Sequence, residues 1–127
     1  MRLVKNEKKY YEFIRDLRND ERVKDGFIQT EYITQEHHEK FMDQHHDCFY
    51  ICLIDETPVG YAGVINDDIR VATHPNFQKQ GVGKFMLKSI ATIFPNAIAK
   101  IKISNQASLK LFQSSGFKVR YYLLERE

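Results

Sequence analysis

The stretch QKQGVGKF, Gln78 to Phe85, has the residue types and spacing that most directly imply chemistry. Two glycines one residue apart, flanked by Lys79 and Lys84, precede an apolar helical run. Glycines at the start of a helix let successive backbone N–H groups close on an anion, which the positive end of the helix dipole also favours. A P-loop would need G-x-x-x-x-G-K-[ST], but position 78 is Gln and Phe85 follows Lys84. A dinucleotide fingerprint would need a third glycine where Met86 stands. The pattern Q-x-x-G-x-G is met by Gln78, Gly81 and Gly83. On that reading Gln78, Lys79, Gln80, Gly81, Val82, Gly83 and Lys84 form a main-chain cradle for a pyrophosphate; the alternative is a plain helix-entry loop in which the glycines only relieve strain.

Other residues invite acid–base or metal readings. Asp68, Arg70, Ala72 and His74 fall on one face of a strand by period two. Arg70 there is suited to a carboxylate or phosphate. His74 is a candidate base, although it precedes Pro75 and closes the strand. His38 and His45 share a helix face but stand two turns apart, about 10.5 Å, too far to bind one ion directly. No metal is expected. Cys48 and Cys52, spaced by four in a strand-like run, would be about 13 Å apart, too far for a disulfide. They are expected to be buried, reduced thiols.

The elements that must position these groups follow from periodicity and turn chemistry. Residues 1–6 alternate and open a sheet. In KKYYEFIRDLRND, Tyr10, Phe13, Ile14 and Leu17 have helical spacing, and Thr34 is placed to cap a second helix, TQEHHEKFMDQHH. CFYICLID and VGYAGVIN form a hairpin about ETP, and DIRVATHP is a further strand ending near Pro75. GVGKFMLKSIATIF is helical, with Val82, Phe85, Met86, Ile90 and Ile93 on one side. AIAKIKIS is a strand, NQASLKLFQSSG a helix closed by Gly116, and FKVRYYLLERE a final strand. The order βααβββαβαβ describes an α+β chain, with a mostly antiparallel central sheet flanked by helices. Residues 68 to 103 form a βαβ unit whose strands should pair in parallel.

IRVATHPNFQKQGVGKFMLKSI resembles the acyl-CoA-binding segment of the GNAT superfamily of N-acetyltransferases, and NQASLKLFQSSGF is similar to that superfamily's second signature. The resemblance spans most of the chain and is weakest before residue 48. It implies a GNAT-like three-layer fold and acetyl-CoA as cosubstrate. The main chain of Val71, Ala72 and Thr73 would pair with the pantetheine arm, on a strand that splays from its neighbour and often carries a bulge. A free N–H there would also stabilise an oxyanion. Gln78 to Lys84 would wrap the pyrophosphate, and Asn105 would contact the cofactor arm, with helix capping as its other role. Asp68 would be the general base, against a plain turn role in NDD. The family's usual tyrosine acid is here Phe112, which has no proton to donate but can pack against cofactor or core. The first half is loosely similar to enzymes that acetylate amino sugars on nucleotides, which makes His37 and His38 candidate acceptor contacts.

The chain has 127 residues and a net charge of +2, which bounds it to one domain, residues 1–127, with no charge-based case for nucleic acid. No apolar run approaches a membrane span and no leader is evident, so a cytoplasmic protein is expected. The expected activity is acetyl transfer to a primary amine of a small molecule. The alternatives are a protein or peptide acceptor, and a cofactor-binding module without catalysis. The final strand would offer an edge to a second subunit, so a monomer or a homodimer is expected.

Overall fold

The computed structural model describes all 127 residues. Four strands, β1 (Arg2–Lys5), β2 (Phe49–Ile54), β3 (Thr57–Ile65) and β4 (Asp68–Thr73), form one antiparallel sheet in the order β1-β2-β3-β4. Four helices flank it: α1 (Tyr11–Asn19), α2 (Gln35–His45), α3 (Val82–Ile93) and α4 (Gln106–Ser114). Both links of the meander from β2 to β4 are two-residue turns with positive φ throughout: Asp55 (48°) and Glu56 (67°), then Asn66 (52°) and Asp67 (64°). Such turns match the right-handed twist of the strands they join, and Asn and Asp tolerate that conformation better than most residues.

Alternation along the strands sends side chains to two separate cores. Phe49, Ile51, Leu53, Tyr61 and Ala72 pack with Ile14 and Leu17 of α1 and Met42 of α2. On the other face Cys52, Ala62, Val64 and Ile69 pack with Val82, Met86, Leu87 and Ile90 of α3 and Phe112 of α4. Ile14, Met42, Met86 and Ile90 are fully enclosed, and each such side chain contributes about 1.5–3 kcal/mol. Thr34 caps α2 through its side chain, which accepts from the His37 amide. Gly116 (φ +100°) follows the end of α4 in the left-handed conformation that stops a helix.

Four expectations are corrected. Residues 97–103 do not form a strand. They touch β4 through one parallel bridge, Asp68 to Ile98, and then part from it. The segment 117–127 is also not a strand: Tyr122 and Leu124 are each 91% exposed. Its sequence suits a strand, but a strand needs a neighbour for its amides, and residues 99–103 provide no ordered edge. Cys48 ends a 3-10 turn rather than lying in β2, and it packs against the α1–α2 core while Cys52 packs on the α3 side. Both thiols are free. The sheet's register shift falls between Cys52 and Leu53 of β2, not in β4.

Candidate active site

The parting of residues 97–103 from β4 creates an open edge. The Ile69 amide donates to the Ile98 carbonyl (2.8 Å) and the Ile98 amide to the Asp67 carbonyl (2.7 Å). In a strand, main-chain groups of alternate residues point to alternate sides, so those of Val71 and Thr73 face the same open side as Ile69. The Ala72 main chain points the other way, into β3. Of the three positions expected to pair with a ligand, only the first and third are free to do so.

At the end of this edge the chain turns into α3. His74 Nδ1 accepts from the Asn76 amide (3.1 Å), and Pro75–Phe77 form a 3-10 turn. Lys79 (φ 64°) and Gly81 (φ 83°) both adopt the left-handed conformation. The amide of Phe85 makes the first bond of α3, to the Gly81 carbonyl (3.0 Å). The amides of Val82, Gly83 and Lys84 therefore have no partner in the helix, and no side chain caps them. Lys79 and Lys84 are exposed beside them. Three unpartnered amides beside two exposed lysines suit an anion, and the two glycines here have different duties. Gly81 supplies the backbone conformation. Gly83 makes room for a neighbouring helix, since a Cβ there would stand 2.8 Å from Leu111 Cδ2 of α4.

On the α1–α2 face, a cleft of about 140 Å³ beside the end of β4 is lined by Phe13, Asp16, Leu17, Asp20 and His74. Hydrogen bonds from Arg22 hold the Asp20 carboxyl down to about 2. Asp16 is exposed and has no ion-pair partner. Because His74 Nδ1 accepts an amide proton, its ring proton is on Nε2. In this arrangement His74 is a donor rather than the base expected of it. Further down the strand, Arg70 and Arg18 both stack on Phe41, with their guanidinium carbons 5.8 and 4.9 Å from the ring centre. Beside them is Tyr61, 3% exposed, whose phenol burial pushes up to about 12 against the pull of both arginines. Asp68 lies at the closed base of the fork, with its Oδ1 buried and without a protein partner.

The other expected residues are dispersed. His37 is exposed on the outer side of α2, whereas His38 is 2% exposed. His38 Nε2 donates to the Tyr11 carbonyl (2.8 Å) and burial holds its pKa below the usual histidine value. It is a core residue and does not face an acceptor. Phe112 is likewise core, 4% exposed and edge-on to Phe117 at 5.2 Å. Asn105 caps α4, its Oδ1 accepting from the Ser108 amide (3.0 Å), while its Nδ2 donates to the Gly26 carbonyl (3.2 Å). Lys102 Nζ donates to the neighbouring Asp25 carbonyl (3.0 Å), so the loop between α1 and α2 is clasped to the start of α4. Sequence reasoning missed Arg18, Asp16, Asp20 and Tyr61. Arg18 did leave a signal, since it stands four residues after Ile14 on the buried side of α1. No group of three or more His, Cys, Asp or Glu is placed to hold a metal ion.

This combination of an open strand edge, an uncapped helix start and a cleft across the sheet can be compared with known proteins. Solved structures with the same fold include spermidine N-acetyltransferase from Vibrio cholerae in complex with CoA and spermine (TM-score 0.82, 15% identity, 98% of this chain and 85% of that one). Another is ribosomal-protein-alanine N-acetyltransferase from Brucella melitensis (TM-score 0.78, 17% identity, 93% and 85%). A third is the aminoglycoside N-acetyltransferase AAC(6')-Iy in complex with CoA (TM-score 0.74, 16% identity, 99% and 93%). A search of curated proteins finds no match. Residues 11–117 match the Acetyltransferase (GNAT) family. Together with the fold, that match makes this chain a member of the GNAT acetyltransferase family.

Proposed function

We propose that this N-acetyltransferase moves the acetyl group of acetyl-CoA to the primary amine of a small molecule, amino sugars among them. The donor's chemical demands fit the residues present. The amides of Val82, Gly83 and Lys84 suit a pyrophosphate, and the free main-chain groups of Val71 and Thr73 suit the amides of a pantetheine arm. Bound there, acetyl-CoA supplies an activated thioester.

The observation that carries the acceptor reading is the cleft of Phe13, Asp16, Leu17, Asp20 and His74, which adjoins Thr73 at the open edge. Asp16, which has no ion-pair partner, draws in an ammonium group, while the Asp20 carboxylate is engaged by Arg22, and the small volume admits a single amine-bearing arm. The attacking nitrogen must be neutral, so a proton has to leave first. We assign its removal to Asp68 acting through water. Asp68 lies four residues before Ala72, beside which the amine must arrive, about 13 Å along the strand, so a chain of waters has to carry the proton. His74 Nε2–H, at the end of the open edge, is assigned a hydrogen bond to the departing thiolate, which leaves as the anion because neither His74 nor Phe112 supplies it with a proton.

Two measurements test this. Thermal shift with acetyl-CoA should raise Tm, since a ligand of the native state stabilises it. Thiol release over a panel of small amines should then exceed the rate with a ribosomal-protein N-terminal peptide. No shift at saturating acetyl-CoA would sink the donor reading. Binding without release to any amine would leave a cofactor-binding module, and faster release with the peptide would replace the small-molecule acceptor.

A further inference from the structure

Two like charges share one aromatic ring beside the open edge. Arg18 of α1 and Arg70 of β4 lie 4.9 and 5.8 Å from the centre of Phe41. Each is only partly exposed. Arg2, Arg15 and Arg22 each have a carboxylate partner, whereas Arg18 and Arg70 have none. Burial and the charge of Arg70 both disfavour the cationic form of Arg18, and Tyr61 alone opposes them. The Tyr61 hydroxyl, almost enclosed beside both cations, has no hydrogen-bond partner in the chain. Two guanidinium groups on one ring, near enough for the charge of Arg70 to disfavour that of Arg18, have no counter-charge from the chain and leave room for one from a ligand.

We propose that Arg18, Arg70 and Tyr61, on the platform of Phe41, form a subsite for an anionic group, carboxylate or phosphate, carried by the acceptor. Guanidinium forks bind both anions through paired N–H donors, and the Tyr61 hydroxyl adds one more. The position gives a length as well as a charge. Arg70 lies two residues from Ala72, roughly 7 Å along β4 from where the amine must arrive. The amine end is served by Asp16, and the anion end by the two arginines. An acceptor with its anion several bonds from its amine fits this span better than an α-amino acid does. The subsite rests on the small-molecule acceptor reading above and specifies that acceptor's class.

The test runs at saturating acetyl-CoA, so that the donor's own phosphates are satisfied. Thiol release is compared within matched pairs: glucosamine 6-phosphate against glucosamine, and 5-aminopentanoate against pentylamine. The anionic member should have the higher kcat/KM by about ten- to hundred-fold, mainly through KM, the usual effect of a charge-assisted hydrogen bond. Which pair shows the larger ratio distinguishes phosphate from carboxylate. Arg18→Gln and Arg70→Gln should each erase most of the advantage. Independently, with the α3 cradle filled by saturating CoA, inorganic phosphate should raise the Tm of the wild type but not that of the double variant. Each single variant should be at least as stable as wild type without phosphate, because a repulsion is removed, so loss of fold cannot mimic loss of the site. Equal kcat/KM within both pairs, or a phosphate shift that survives in the double variant, would overturn the subsite. Failure of every amine would overturn the function reading instead, and the phosphate arm would still decide the subsite.

Discussion

Along β4, one edge presents the main-chain groups of Val71 and Thr73 and leads into the uncapped start of α3. The face towards α1 presents the side chains of Arg70 and His74. The proposed donor side is therefore made almost entirely of backbone, contributed by one continuous stretch from Val71 to Lys84. The proposed acceptor side is made of side chains from α1, α2, β3, β4 and the turn after β4. A backbone site depends on conformation, which a few glycines can secure. A side-chain site depends on which residues distant segments bring together, and it can change one residue at a time without disturbing the fold.

Substitutions on the two sides should therefore fail differently. The largest effect is expected on the chemistry itself: Asp68→Asn should lower kcat about 100-fold with the acetyl-CoA KM little changed, read by thiol release. An unaltered kcat across pH would remove Asp68 as the base. Next is Phe112→Tyr. Restoring a phenol at that position should cost about 1–3 kcal/mol and leave kcat no higher, because the new hydroxyl would be buried against Phe117 without a partner. Chemical denaturation and steady-state rates check it, and a rise in kcat would mean that the ring reaches the reacting centre after all. Gly81→Val acts on the backbone side. It forces a β-branched residue to φ 83°, at a cost of about 1–2 kcal/mol, and should raise the acetyl-CoA KM while sparing the ranking of acceptors. A changed acceptor ranking would break the division between the two sides. The smallest effect is Asn105→Ala, about 1 kcal/mol for a lost helix cap. Unlike Gly81→Val, it should loosen both sides together, raising KM for donor and acceptor alike.

The same division explains what the sequence could reveal. Gln78, Gly81 and Gly83 lie within six residues of one another, so the loop was legible from local pattern, and the meander was legible from its strand runs, although its first turn falls on Asp55 and Glu56 rather than on Glu56 to Pro58. The helices of the first half were legible from apolar spacing and the Thr34 cap. The two C-terminal strands were misread because their residues suit strands while their pairing depends on an edge the fold does not supply. The arginine pair was illegible for another reason: Arg18 and Arg70 are fifty-two positions apart, and Phe41, which joins them, reads in sequence as one more core residue of an amphipathic helix. His38 was misassigned because helical phase alone does not say which side of α2 meets α1.

The Asn105 clasp also bears on when the molecule opens. Its carboxamide closes the start of α4 with one atom and secures Gly26 with another, so fraying of that helix turn releases the loop between α1 and α2 in the same event. Seen by hydrogen exchange, the amides of the α4 start would open as one unit with that loop, with a single opening free energy. Opening of the loop at Gly26 and local melting at Ser108 would then be the same motion, watched from opposite ends of one side chain.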